Sequence, residues 1–142
     1  MTPQSSDTLP ILIVDDVYSA RTVLKDMLHE LGFSSVVEAR SGREALDILS
    51  CQNVRMILCD HVMEEMTGLE FLQKLKQLGA NAQAPVIFVS AIGEVSTVEE
   101  AIELGAADYL VKPISFRKLR RKIEDVLHSS RSNFPITQEI RL

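Results

Sequence analysis

The sequence is poor in the features that would remove it from the class of ordinary globular domains. It has two cysteines, Cys51 and Cys59, and three histidines, His29, His61 and His128, at no metal-ligand spacing. A zinc site is therefore excluded. With no secretory signal ahead of those cysteines, a reduced, cytoplasmic setting is expected. No apolar run approaches the roughly 20 residues that span a bilayer, so no membrane insertion is expected. No G-x-G-x-x-G follows the first apolar run, which excludes a dinucleotide fingerprint. Internal repeats and low-complexity segments are absent as well. Excess positive charge is also lacking: the formal net charge is −5, which argues against direct nucleic-acid binding by the chain as a whole.

What is there fits one domain. A chain of 142 residues can bury about two thirds of its unfolded surface. The 46% hydrophobic and 25% charged composition is that of a folded chain rather than a disordered one. Residues 1–9 read as a flexible start, 10–128 as the domain, and 129–142, with Pro135 and no clear period, as a C-terminal tail.

Between those ends two periodicities alternate. Ile11-Leu12-Ile13-Val14, Met56-Ile57-Leu58-Cys59 and Pro85-Val86-Ile87-Phe88-Val89 are continuous apolar runs, which suit strands covered on both faces. Ser35–Ala39 and Ala107–Val111 read as two further strands. Helical spacing predicts helices from Tyr18 to Leu31, Leu69 to Leu78 and Val95 to Leu104, stopped by Gly32, Gly79 and Gly105. Ser41 and Glu44 predict a capping box opening a helix to about Ser50, and Ser115 caps a last helix to about His128. Five strands in strict alternation with five helices imply an α/β fold, a parallel sheet with helices on both faces.

Ligands of open parallel sheets bind beyond the carboxyl ends of the strands. The polar residues stand at those ends: Asp15 and Asp16, Asp60, Ser90 and Lys112. Each has a bland reading alone. An aspartate after a strand caps a helix or makes a turn, a serine sits in a turn, a lysine is solvated, and Pro113 ends a strand. Their joint occurrence points to phosphoryl chemistry. Three carboxylates on one rim repel, by roughly 3 kcal/mol per pair at about 5 Å and an effective dielectric of about 20. A raised pKa or a hard cation must relieve this, and Mg²⁺ favours carboxylates, water and phosphate oxygens.

The motifs Val14-Asp15-Asp16, Asp60 to Gly68 (DHVMEEMTG), Val89-Ser90-Ala91 and Asp108-Tyr109-Leu110-Val111-Lys112-Pro113 resemble those of the receiver domains of two-component response regulators, over about Pro10 to Leu127. Glu30-Leu31-Gly32-Phe33 and Val37-Glu38-Ala39 also resemble the single-domain chemotaxis-type members. The resemblance implies a doubly wound, flavodoxin-like (βα)₅ fold with strand order 2-1-3-4-5. It implies Asp60 as phosphoacceptor, with Asp15, Asp16, Asp60 and the backbone carbonyl of Val62 around Mg²⁺. Lys112 and Ser90 would contact the phosphoryl group, and Ser90 and Tyr109 would form the switch. It further implies a histidine kinase as donor and a downstream protein target on the helix 4/strand 5/helix 5 face. The protein would be a monomer or a phosphorylation-dependent dimer. It would be a signalling protein catalysing only its own phosphorylation and dephosphorylation.

The sequence also departs from the family pattern. Glu64 stands where proline is usual, and Thr67 where aspartate is frequent. Glu64 and Glu65 are read as solvent-facing. Val62 and Ile92 are apolar where they flank the site, so slow hydrolysis of the acyl phosphate is expected. Arg117, Lys118, Arg120, Arg121 and Lys122 crowd one end of the last helix against its dipole; a solvated face and a docking surface for an acidic partner both fit. An aspartate-based phosphatase would want a second carboxylate two residues after the nucleophile, where Val62 stands. Other readings are a phosphorelay intermediate, a receiver cut from a larger regulator, and an interaction module that is never phosphorylated.

Overall fold

The computed structural model describes residues 9–130. The expectations for residues 1–8 and 131–142 lie outside the described residues. Ten elements alternate: β1 Ile11–Val14, α1 Tyr18–Glu30, β2 Val36–Ala39, α2 Gly42–Cys51, β3 Met56–Cys59, α3 Gly68–Leu78, β4 Val86–Ser90, α4 Val95–Glu103, β5 Asp108–Val111 and α5 Phe116–Ser130. The strands form one parallel sheet in the order β2-β1-β3-β4-β5. The flavodoxin-like doubly wound fold expected from the sequence is the one observed.

The three continuous apolar runs became the three central strands, and every residue of them is buried. Strand alternation divides those residues between two cores. Ile11, Ile13, Met56, Leu58, Ile87 and Val89 face one way and pack with Leu24 and Leu28 of α1 and Leu119, Ile123 and Leu127 of α5. Leu12, Val14, Ile57, Cys59, Val86 and Phe88 face the other way, against Ala45 and Leu49 of α2, Phe71, Leu72 and Leu75 of α3 and Ala101 of α4. A large-to-small change at Phe71 or Phe88, both fully buried, should cost about 3–5 kcal/mol. The edge strands β2 and β5 are only partly buried.

Helix ends follow local rules with one correction. Gly32 and Gly105 take positive φ, and each closes its helix with a paired Schellman bond set: Gly32 N to His29 O with Phe33 N to Leu28 O, and Gly105 N to Ile102 O with Ala106 N to Ala101 O. Ser41 Oγ accepts from Glu44 N at 3.0 Å as expected. The Glu44 carboxylate, however, accepts from Arg40 N at 2.6 Å, one residue before the position a capping box requires. The complete capping box is at α3, between Thr67 and Glu70. Thr67 thus does the capping that an aspartate there could do, which gives that departure a physical reason. Ser115 caps α5, which runs to Ser130, two residues past its expected end.

Register then sets where the strand ends meet. Val14 pairs with both Ala39 and Cys59, Cys59 with Phe88, and Ser90 with Val111. Asp15 and Asp60, which follow β1 and β3, therefore emerge at one level, and Lys112, which follows β5, stands two residues further along, with a side chain long enough to reach back to them.

Candidate functional site

Asp15, Asp16 and Asp60 each offer a carboxylate oxygen, and these atoms all lie within 4.8 Å of one another. Backbone bonds extend the sheet ladder into the site: Asp15 N donates to Ala39 O at 3.1 Å and Asp60 N to Val14 O at 2.9 Å. Asp15 and Asp60 are buried, whereas Asp16 is exposed. Asp15 Oδ1 accepts from Val17 N at 2.9 Å, so it also serves the start of α1, which has no side-chain cap from Val17 itself. The bland reading of a turn-forming aspartate and the functional one both hold for this residue.

Lys112 enters from β5. Its Nζ lies 3.2 Å from Asp15 Oδ2 and 4.0 Å from Asp60 Oδ2. Its backbone N donates to Ser90 O at 2.8 Å, and the Lys112–Pro113 peptide bond is cis. The lysine leaves the acidic group undercompensated. Burial first, and the charge of Asp15 second, push the Asp60 carboxyl above its ordinary range, against Lys112 and the amides of Val62 and His61. Val62 N approaches Asp60 Oδ1 at 3.4 Å, and the Val62 side chain is exposed. The donor set is all oxygen, which suits a hard divalent cation.

Ser90 is fully buried and its Oγ accepts from Ile92 N at 3.2 Å. Tyr109 is buried, and its hydroxyl donates to Ile92 O at 2.7 Å. The two expected switch residues therefore hold neighbouring backbone polar groups of one residue, Ile92. Burial pushes the Tyr109 hydroxyl pKa up. Behind it, Phe88 contacts both Tyr109 and His61, with ring centroids 5.8 and 6.0 Å apart. Cys59 is buried beside the site, its thiol donating to Asp60 O at 3.1 Å. Burial pushes that thiol's pKa well up, so it is an inert donor. Glu64 and Glu65 are exposed, as read from the sequence, and line an open cleft of about 380 Å³ with Asp16, Arg40 and Arg43.

Two contributors to the site, and one tie remote from it, were missed. Arg21 of α1 is buried and donates to Asp15 O at 2.7 Å and to Glu38 Oε1 at 3.0 Å. Gly68 sits so close that a Cβ would lie 2.6 Å from both Asp60 O and Phe88 Cε1. Asn81, at φ 62, accepts from Val54 N and donates to Leu49 O and Gln52 O. It ties the loops on the far side of the sheet. Only Thr67-x-x-Glu70 carried a sequence signal that could have been read, the capping-box pattern before an apolar run.

Fold and site define a doubly wound α/β protein with an acidic pocket and a lysine at the carboxyl rim of its sheet. The chain belongs to the response regulator receiver domain family, whose model matches residues 11–124. It is 36% identical to a chemotaxis protein CheY homolog of Campylobacter jejuni over 120 residues, 84% of this chain and 92% of that protein. It is 39% identical to the transcriptional regulatory protein ZraR of Escherichia coli over 126 residues, 89% of this chain and 28% of ZraR. The chain thus spans less than a third of the length of that regulator. Among solved structures, the receiver domain of the sensor histidine kinase PA1611 from Pseudomonas aeruginosa superposes with a TM-score of 0.76 at 25% identity, covering 84% of this chain and 98% of that one. That structure has a magnesium ion coordinated in its active-site cleft. As a receiver, this chain is a two-component signalling domain. No described helix is long and apolar enough to cross a membrane.

Proposed function

We propose that Asp60 accepts a phosphoryl group from the phosphohistidine of a histidine kinase, with Mg²⁺ bound beside it, and that this event switches partner binding. The observation that carries the reading is the convergence of three carboxylates within 4.8 Å, with the Lys112 ammonium 3.2 and 4.0 Å from two of them.

Asp15, Asp16 and Asp60 would hold the cation, with the Val62 carbonyl completing the protein's share. When bound, Mg²⁺ supplies positive charge that neutralises the carboxylates and the phosphoryl oxygens. The Asp60 carboxylate attacks phosphorus, an O–P bond forms, the N–P bond to the donor histidine breaks, and the imidazole leaves. Lys112, already beside Asp60, follows the phosphoryl oxygens. Ser90 uses a lone pair toward Ile92 N, which leaves its O–H proton to donate to the phosphoryl group. Drawing Ser90 inward frees the Ile92 amide and loosens the acceptor that holds Tyr109. Tyr109 then changes rotamer, and the α4/β5/α5 face changes with it. Hydrolysis by water at phosphorus resets the domain. These are steps on the chain itself, not turnover of an external substrate.

The downstream protein target docks on the α4/β5/α5 face, where Val95, Ile102 and Val111 are exposed beside Arg117, Lys118 and Arg121. The setting is the cytoplasm, with the domain as a monomer or a phosphorylation-dependent dimer. The near full-length match to the C. jejuni CheY homolog supports a chemotaxis-type output. The ZraR match supports a second reading as the receiver of a longer regulator.

Acetyl phosphate and Mg²⁺ test the reaction. Peptide mass spectrometry should find one added phosphoryl group, on Asp60, lost with EDTA and in Asp60→Asn. A protein that stays unmodified, or is modified elsewhere, overturns the proposal.

A further inference from the structure

Long charged side chains are rarely buried without a task. Arg21 is 6% exposed, yet it lies on α1 at the edge of the acidic site. Its Nη1 donates to the Asp15 carbonyl at 2.7 Å and its Nε to Glu38 Oε1 at 3.0 Å. The other Glu38 oxygen accepts from Lys25 at 3.0 Å. The guanidinium carbon also lies 5.5 Å from the centroid of the Tyr18 ring. Asp15 is thereby held at three points: its amide by Ala39 O, its carboxylate by Val17 N and Lys112, and its carbonyl by Arg21. The carbonyl belongs to the peptide that leads into Asp16. Fixing that peptide plane fixes the direction in which the exposed Asp16 leaves the backbone toward the carboxylates of Asp15 and Asp60.

We propose that Arg21 is a positioning residue for the cation site: its fork clamps the Asp15–Asp16 peptide, while Glu38, shared with Lys25, offsets part of its charge and so limits its repulsion of the cation. This rests on the receiver reading above. Arg21 acts through Asp15, whose carbonyl it holds, and not as a ligand itself. A planar fork is suited to the task because it can bond a carbonyl and a carboxylate at once in fixed geometry, which an ammonium cannot. Supports of this kind set metal affinity through the ligands they orient.

The sign of the effect separates geometry from charge. Removing a nearby positive charge would by itself tighten cation binding. Loss of the clamp should weaken it, by about tenfold or more, the usual cost of losing such a support. The test is calorimetric titration with Mg²⁺ alone, at a temperature where circular dichroism shows every variant folded. Arg21→Met removes the fork and keeps most of the stem; Arg21→Lys keeps the charge and loses the fork. Both should bind Mg²⁺ about tenfold more weakly than the wild-type protein. Unchanged or tighter Mg²⁺ binding in both, whatever happens to their unfolding temperatures, overturns the inference and leaves Arg21 a structural residue. Asp16→Asn tells the two levels apart. Wild-type binding that is lost in Asp16→Asn upholds the site independently of Arg21. A wild-type protein that does not bind Mg²⁺ sinks the site reading, and the clamp with it.

Discussion

Replacing Asp60 by asparagine should make the metal-free protein more stable. The Asp15 and Asp60 carboxylates have oxygens within 4.8 Å, a repulsion of about 3.5 kcal/mol at an effective dielectric of about 20. The Lys112 ammonium, 4.0 Å from Asp60, returns about 4 kcal/mol on the same scale. The two nearly cancel, so burial decides, and Asp60 is only 8% exposed. Burial disfavours the charged form, in keeping with the raised Asp60 pKa. Asparagine keeps the shape, still accepts from Val62 N and leaves Lys112 to Asp15 at 3.2 Å. The gain should be read as a higher Tm, each kcal/mol being worth a few degrees for a domain of this size. The pH dependence has a definite sign. A carboxyl whose folded pKa is raised costs stability when ionised, at every pH above that value. The cost fades as pH falls through the folded pKa and is gone below the unfolded one. The advantage of Asp60→Asn should therefore be full at neutral pH and shrink in acid. Mg²⁺ should narrow it as well, because the cation stabilises the wild-type fold by binding to it. Thermal unfolding in EDTA at neutral and acid pH measures both trends. An Asp60→Asn protein less stable than wild type at neutral pH refutes the electrostatic account.

Gly68→Ala should destabilise the fold by about 1–3 kcal/mol, because its Cβ would meet backbone and a fully buried ring at 2.6 Å. Gly42→Ala, which meets only the flexible Met66 side chain, should lie within about 0.5 kcal/mol of wild type; equal denaturant midpoints for both variants would contradict this. Asn81→Ala removes three hydrogen bonds and leaves a side chain at φ 62, so chemical denaturation should show a loss of about 2–4 kcal/mol. Asn81→Ala unfolding with wild-type stability would remove that tie from the account. Val62→Asn places a polar group where an exposed valine flanks Asp60 and should shorten the acyl-phosphate half-life; an unchanged half-life refutes the link between slow hydrolysis and Val62.

The parts of the fold that could be read from the sequence are those set by short-range pattern. Runs such as Met56–Cys59 have no polar alternation because both faces are covered, so their ends, and the acidic residues beyond them, stand out. Edge strands are less legible: β2 carries Glu38 and has only one fully buried residue, Ala39. The long-range ties were invisible for a different reason. Arg21 looks like any polar helix residue until β2 brings Glu38 beside it, 17 positions away. Asn81 joins groups 27 to 32 residues distant, and Gly68 is demanded by Phe88 and the Asp60 backbone, not by its own φ. Glu44 shows the limit even of local rules, since its carboxylate chose Arg40 N over the predicted partner.

Nuclear magnetic resonance of the labelled protein titrated with Mg²⁺ addresses the convergence of the carboxylates most directly. The amides of Asp15, Asp16, Asp60 and Val62 should shift together along one saturation curve with a single Kd. Shifts that are scattered over the surface, or that saturate at separate Mg²⁺ concentrations for the two loops, would contradict the account.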